Sequence, residues 1–259
     1  LNKQAEDVDD DEWNMYQAGC LFIKNLALCL GDEVLDILVP FVTTNFTSTD
    51  WRFKEAAISV FGFIMEGPTP QKLHPLIQQA MPLLLGLTTD ESDHVSVAAL
   101  WTLSQICEFH STALNPTDLN PIMTNVMQAL ERESPMLVEK ACLVVINIAL
   151  ACEDDADADT NLISFFFMAL MQKLLTVAQR PDLIDTNAVH SLYEAALNII
   201  MFSAKDMHQF VKDILNECLS RLELCMSPAN ANMPVNERHK LQGSLCGIIG
   251  VCIEKCSAE

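Results

Sequence analysis

The sequence predicts an all-α chain in which one helical unit is repeated along the length. Three observations carry this. Apolar residues recur at three- and four-residue spacing over stretches of about 12 to 20 residues, which is helical and not strand periodicity. Strand signals are nearly absent: Tyr and Gly are scarce, at 2 and 8 in 259 residues, and period-2 alternation is not sustained. Six segments also share one pattern, a small residue followed by apolar residues four and seven positions later, and internal repetition of this kind decides the architecture.

The first helix is expected at 13–30, where WNMYQAGCLFIKNL carries Gly19/Ile23/Leu26. A second follows at 33–46, and WRFKEAAISVFGFI then supplies Ala57/Phe61/Ile64. The next pair is 71–88 with HVSVAALWTLSQIC, marked by Ala99/Leu103/Ile106, and after it 120–131 with LVEKACLVVINIAL, marked by Ala141/Val145/Ile148. Segments 161–178 and 207–224 precede VHSLYEAALNIIMF and KLQGSLCGIIGVCI, which hold Ala195/Ile199/Phe202 and Ser244/Ile248/Val251. The small residue lets neighbouring helices approach, and positions four and seven later bury on the same face. Successive small residues step by 38, 42, 42, 54 and 49. Those steps bracket the ~40 to 47 residue period of HEAT/armadillo helix pairs, so the expected fold is a right-handed α-α superhelix, a HEAT-repeat solenoid.

In that reading residues 1–259 form a single elongated segment of about five and a half repeats without one central core. Residues 1–12 are an acidic loop, 13–30 the B helix of a cut repeat, and 33–66, 71–109, 120–152, 160–204 and 207–256 are helix pairs, each an A helix followed by a B helix. Both ends then expose apolar surface that further repeats would cover. Pro40 and Pro82 lie 42 apart and are expected to kink their A helices. The insert 153–159, EDDADAD, accounts for the long step, and 227–236 is a helix-breaking loop.

With 15 Lys+Arg against 35 Asp+Glu the formal charge is -20, which argues against phosphate-tracking nucleic-acid binding and for basic protein partners. At 50% hydrophobic the chain is no disordered acidic tail. No apolar run reaches the roughly 18 residues of a membrane span, so no membrane insertion is expected, and no signal or transit peptide is visible. The ten cysteines sit mostly in apolar runs without any CxxC and read as reduced thiols in a cytosolic or nuclear protein. The calcium-loop template fails at Asp155, where Thr160 replaces the glycine and Phe166 the glutamate, and it fails again at Asp7. Phosphate-loop, dinucleotide, HExxH and GxSxG motifs are missing, and the six histidines are scattered, read as surface or helix-end groups. No catalytic residue, metal or cofactor is expected, and an enzyme is the least supported class.

Trp101 is the most informative residue. At about 100° per residue it lies off the Ala99/Leu103/Ile106 packing face, so it reads as a partner contact in preference to packing. Its stripe holds Val97, Gln105 and Glu108, and the matching stripe one repeat earlier is Glu55, Ser59 and Glu66. The acidic run Glu6, Asp7, Asp9, Asp10, Asp11 and Glu12 precedes the helix near Trp13, as a solvated helix start or as a partner-binding loop.

These pieces resemble the importin beta family of karyopherin nuclear import receptors. The matching blocks are LNKQ with the acidic run and WN at Trp13, DWR at Asp50 to Arg52 leading to EGPTPQKL, QAMPLL, AALWTLSQICE, QKLL with RPD, and SAKD, collinear over essentially the whole chain. The resemblance implies a fragment of central HEAT repeats whose B helices line a concave surface. That surface would wrap the basic importin-beta-binding segment of importin alpha, with tryptophans and acids clasping Lys/Arg. It further implies basic cargo proteins, the Ran GTPase and FG nucleoporins as partners of the full-length protein, an acidic loop that contacts cargo and Ran, and residence in cytoplasm, nucleus and nuclear pore. Trp13 and Trp101 match family tryptophans, whereas a third falls at Leu143, and Ser96 replaces an arginine of an inter-repeat Asp-Arg ladder. The alternatives are a transportin-like receptor and a HEAT scaffold subunit of a kinase or phosphatase assembly.

Overall fold

A computed structural model describes residues 15–114, 116–184, 186–227 and 235–257. Eleven α-helices and no strand occur among them: α1 Met15–Leu30, α2 Glu33–Asn45, α3 Trp51–Phe63, α4 Pro70–Leu87, α5 Asp93–His110, α6 Pro116–Ala129, α7 Pro135–Leu150, α8 Phe167–Val177, α9 Asn187–Met201, α10 His208–Met226 and α11 Val235–Ser257. Over their described residues all six repeated segments are helical, and a helix is present in each expected intervening stretch. The chain forms two units, one up to Ala129 with α1 to α6 and one from Leu130 with α7 to α11.

In the first unit α1, α3 and α5 form one layer, and α2, α4 and α6 pack behind it. Being the middle helix of its layer, α3 is enclosed on three sides, so eight consecutive residues from Glu55 to Gly62 are buried. The expected triplets Ala57/Phe61/Ile64 and Ala99/Leu103/Ile106 are all buried. In α1 the face is rotated by one residue: Cys20 and Ala27 are buried, while Gly19, Ile23 and Leu26 are half-buried. That helix packs mainly on α2 and α3, and so buries a narrower face than α3 does.

Helix ends follow local chemistry. Asp50 caps α3 by accepting from the Arg52 amide at 3.0 Å. Gly31, at φ +55, closes α1 with its amide on the Ala27 carbonyl at 2.9 Å. Gly67 has φ +121, and a Cβ there would fall 2.4 Å from the Ala27 oxygen, so the EGP block owes its glycine to this contact. Beside it Asp32 accepts from the Thr69 amide and hydroxyl at 2.7 and 3.1 Å, tying two successive loops together.

In the second unit α7, α9 and α11 form the layer backed by α8 and α10. Ala141, Val145 and Ile148 are buried, as are Ala195 and Ile199, while Phe202 is half-buried. In α11 Ile248 is buried together with Leu245 and Cys252, and Ser244 and Val251 of the expected triplet are half-buried. The helix expected from 161 begins only at Phe167. Asn161 and Ser164 form a side-chain turn instead, with the Asn161 amide nitrogen donating to the Phe202 carbonyl at 2.8 Å and Ser164 Oγ donating to Asp206 at 2.9 Å. The acidic insert is tied down: the Lys205 and Asp206 amides donate to the Ala158 and Asp159 carbonyls, and Lys255 Nζ reaches the Ala156 and Met201 carbonyls at 3.2 Å.

Candidate functional site

Trp101 sits mid-way along α5 and is half-buried. Its ring lies against Phe63 of α3, centroids 4.5 Å apart and planes inclined at 49°. It is therefore turned off the packing stripe, as its position in the repeat requires, but it does not stand clear of the protein. One turn on, Gln105 donates to Glu108 Oε2 at 3.1 Å, and Glu108 is exposed. An aromatic ring and an exposed carboxylate on one stripe suit a guanidinium or ammonium group, which gains from the ring quadrupole and the charge together.

The preceding repeat departs from the sequence reading. Glu55 is not a surface contact but is buried, at 2% exposure, with Tyr16 Oη of α1 donating to its Oε1 at 2.7 Å and Ser59 Oγ at 3.3 Å. The physical reason is that α1 lies against this face of α3 and brings in a phenol able to pair with the carboxylate. Burial, and then the charge of Glu55, push the Tyr16 phenol far above its ordinary pKa, so it stays a donor. Glu66 is half-exposed and paired with Lys24 of α1 at 3.0 Å. Trp13 and the acidic run Glu6, Asp7, Asp9, Asp10, Asp11 and Glu12 lie outside the described residues. Leu143, on α7, is half-buried.

Two features escaped sequence reasoning. At Ser96 no ladder arginine is available, and Ser96 Oγ donates to the Asp90 carbonyl at 3.2 Å. The Asp90 carboxylate is instead held by Lys54 of α3 at 2.7 Å, crossing between repeats from the other side. Burial raises the Asp90 pKa, and the Lys54 ammonium with the Ser92 amide more than offsets this, leaving it below the ordinary value. In the second unit a groove of about 820 Å³ runs between α9 and α11 over Val189, Tyr193, Leu197 and Leu241, rimmed by His190, Glu194 and Lys240. Glycines at 243 and 247 mark its α11 wall, a signal present in the sequence as GSLCG. No cluster of three or more metal-ligating side chains occurs among the described residues. No helix among them is long and apolar enough to cross a membrane.

The family model described as importin subunit beta-1-like, TPR repeats, matches residues 121–259, more than half of the chain. The chain belongs to the importin subunit beta-1-like family. A HEAT-like repeat model matches residues 51–106, so the helix pairs of this importin beta relative are HEAT repeats. Importin subunit beta-1 of Arabidopsis thaliana is 30% identical over all of this chain and 31% of its own length. A crystal structure of importin beta in an ammonium sulfate condition superimposes with a TM-score of 0.91 at 28% identity, covering 98% of this chain and 30% of that one. The structure described as a Kap95:Nup1 complex shares the fold, with a TM-score of 0.88 at 24% identity over 99% of this chain and 30% of that chain. The chain thus spans about a third of the length of the proteins it matches.

Proposed function

We propose that this chain is a partner-binding segment of a nuclear transport receptor, acting by binding with no chemistry of its own. The observation that carries the reading is the half-buried indole of Trp101 beside the exposed carboxylate of Glu108 on a helix of the repeat layer. Its ligand is a basic segment, the importin-beta-binding region of importin alpha or a basic cargo protein, clasped by ring and carboxylate and drawn in by the charge of -20. Family membership supports the same reading. Release by Ran, docking on nucleoporins of which Nup1 is an example, and residence in cytoplasm, nucleus and pore are proposed for the full-length receptor. Fluorescence titration with a synthetic peptide of the basic importin alpha segment tests it. Saturable binding that Trp101→Ala weakens by about two- to thirtyfold is expected; no binding even at low salt would sink the reading.

A further inference from the structure

Trp101 rests on a seat made by two residues of α3. A Cβ at Gly62 would lie 2.4 Å from Cζ3 and 3.0 Å from Cε3 of the indole, and 2.8 Å from Thr102 Oγ1. Thr102 Oγ1 itself donates to the Ile58 carbonyl at 2.9 Å, so α3 and α5 meet here as closely as side chains allow. Only glycine permits that approach. Phe63, next in the chain, is half-buried and covers part of the indole at 4.5 Å.

An unsupported tryptophan on a helix surface would lose rotamer freedom when a partner closed over it. A ring already packed against a tilted neighbour on one side has less to lose, and a ligand meets it in the binding orientation. We propose that Gly62 and Phe63 are positioning residues for Trp101: the glycine sets how deep the indole sits, and the phenylalanine sets the tilt at which its uncovered surface meets a cationic side chain. This rests on the reading of Trp101 as a partner contact. Neither Gly62, which is buried, nor Phe63 has to touch the partner for the effect.

The test uses the 259-residue chain, a fluorescein-labelled arginine-rich peptide and anisotropy, with 5-fluorotryptophan incorporated for fluorine NMR. Phe63→Leu keeps an apolar group of similar size and adds no clash. It is expected to raise the Kd by about two- to tenfold, the range for freeing one side chain, and to shift or broaden the Trp101 resonance while leaving Trp51 in place. In a Trp101→Ala background the same change is expected to alter the Kd by less than about 1.5-fold, because no ring is left to orient. Wild-type affinity in Phe63→Leu, with Trp101→Ala weakened, would overturn the positioning role and spare the partner reading. An equal loss with and without Trp101 would overturn it too, by making Phe63 a direct contact. Wild-type affinity in Trp101→Ala would instead sink the partner reading. Gly62→Ala, which must displace both Trp101 and Thr102, is expected to move the same resonance and lower the melting midpoint; an unmoved resonance in both Phe63→Leu and Gly62→Ala would remove the seat altogether.

Discussion

His110 ends α5 with its ring turned inward, only 4% exposed, its Nε2 2.7 Å from the Met65 carbonyl and its edge to His74 at 5.5 Å between centroids. Burial lowers its pKa below 6.5; the Met65 carbonyl works against this and the charge of His74 adds to it. The unfolded chain therefore binds more protons as pH falls past about 6.5. Stability from this group is whole above that pH and declines below it, by at most about 1.4 kcal/mol per pH unit. Urea unfolding at about pH 7.5 and 5.5 is expected to show a loss that His110→Gln reduces; an identical loss in the variant would clear the histidine of responsibility. Packing separates two other residues. Leu103 is fully buried, so Leu103→Ala is expected to cost about 2 to 5 kcal/mol. Trp101→Ala forfeits its ring contact with Phe63, about 0.5 to 1.5 kcal/mol, and so lowers the melting midpoint more modestly while binding suffers. Thiol chemistry follows burial as well: burial pushes Cys107 and Cys252 up to about 12, whereas Cys29 and Cys246 are exposed. Native alkylation is expected to reach the exposed pair first, and early modification of Cys107 would contradict the packing of α5.

Glycines separate two kinds of element. Gly67 is held at φ +121 against the Ala27 carbonyl, while Gly86 lies inside α4 with nothing near its Cβ position. Gly67→Ala is expected to destabilise by about 1 to 3 kcal/mol or more, and Gly86→Ala to stabilise by up to about 1 kcal/mol, both read from denaturant midpoints. A neutral Gly67→Ala would mean that the loop can move off α1. Elements of the repeat layer were legible because burial on several sides forces a small residue and two apolar ones into fixed spacing. The start of α8 was not, because Asn161 and Ser164 continue a helical-looking pattern while their side chains bond the backbone and Asp206 in a turn. That Trp101 lies off the buried stripe was legible from helical angle, although its contacts were not: Gly62 and Phe63 lie some forty residues earlier, and a glycine in a helix reads as a weak position until its neighbour is known. Glu55 misled for the same reason, since its partner Tyr16 is 39 residues away and a lone glutamate reads as exposed.

At the scale of the molecule, charge governs encounter more than grip. An excess of 20 negative charges attracts a basic segment over a Debye length of about 10 Å at 0.1 M salt. The association rate for the arginine-rich peptide is expected to fall steeply as salt rises from about 0.05 to 0.2 M, with a smaller change in dissociation. A salt-independent rate would point to apolar docking, for which the groove between α9 and α11 is the place to look. The acidic insert, finally, adds chain without adding slack. Residues 153–159 are fastened through Ala156, Ala158 and Asp159 to Lys255, Lys205 and Asp206, so the extra length is folded back onto the repeats it separates. A run of five acids in seven positions looks like an ideal substrate for an endoproteinase that cuts after glutamate or aspartate, yet such an enzyme needs several residues of extended backbone in its cleft. Cleavage there would have to wait for the bonds of Lys255, Lys205 and Asp206 to let go, and digestion of the native chain would time that release.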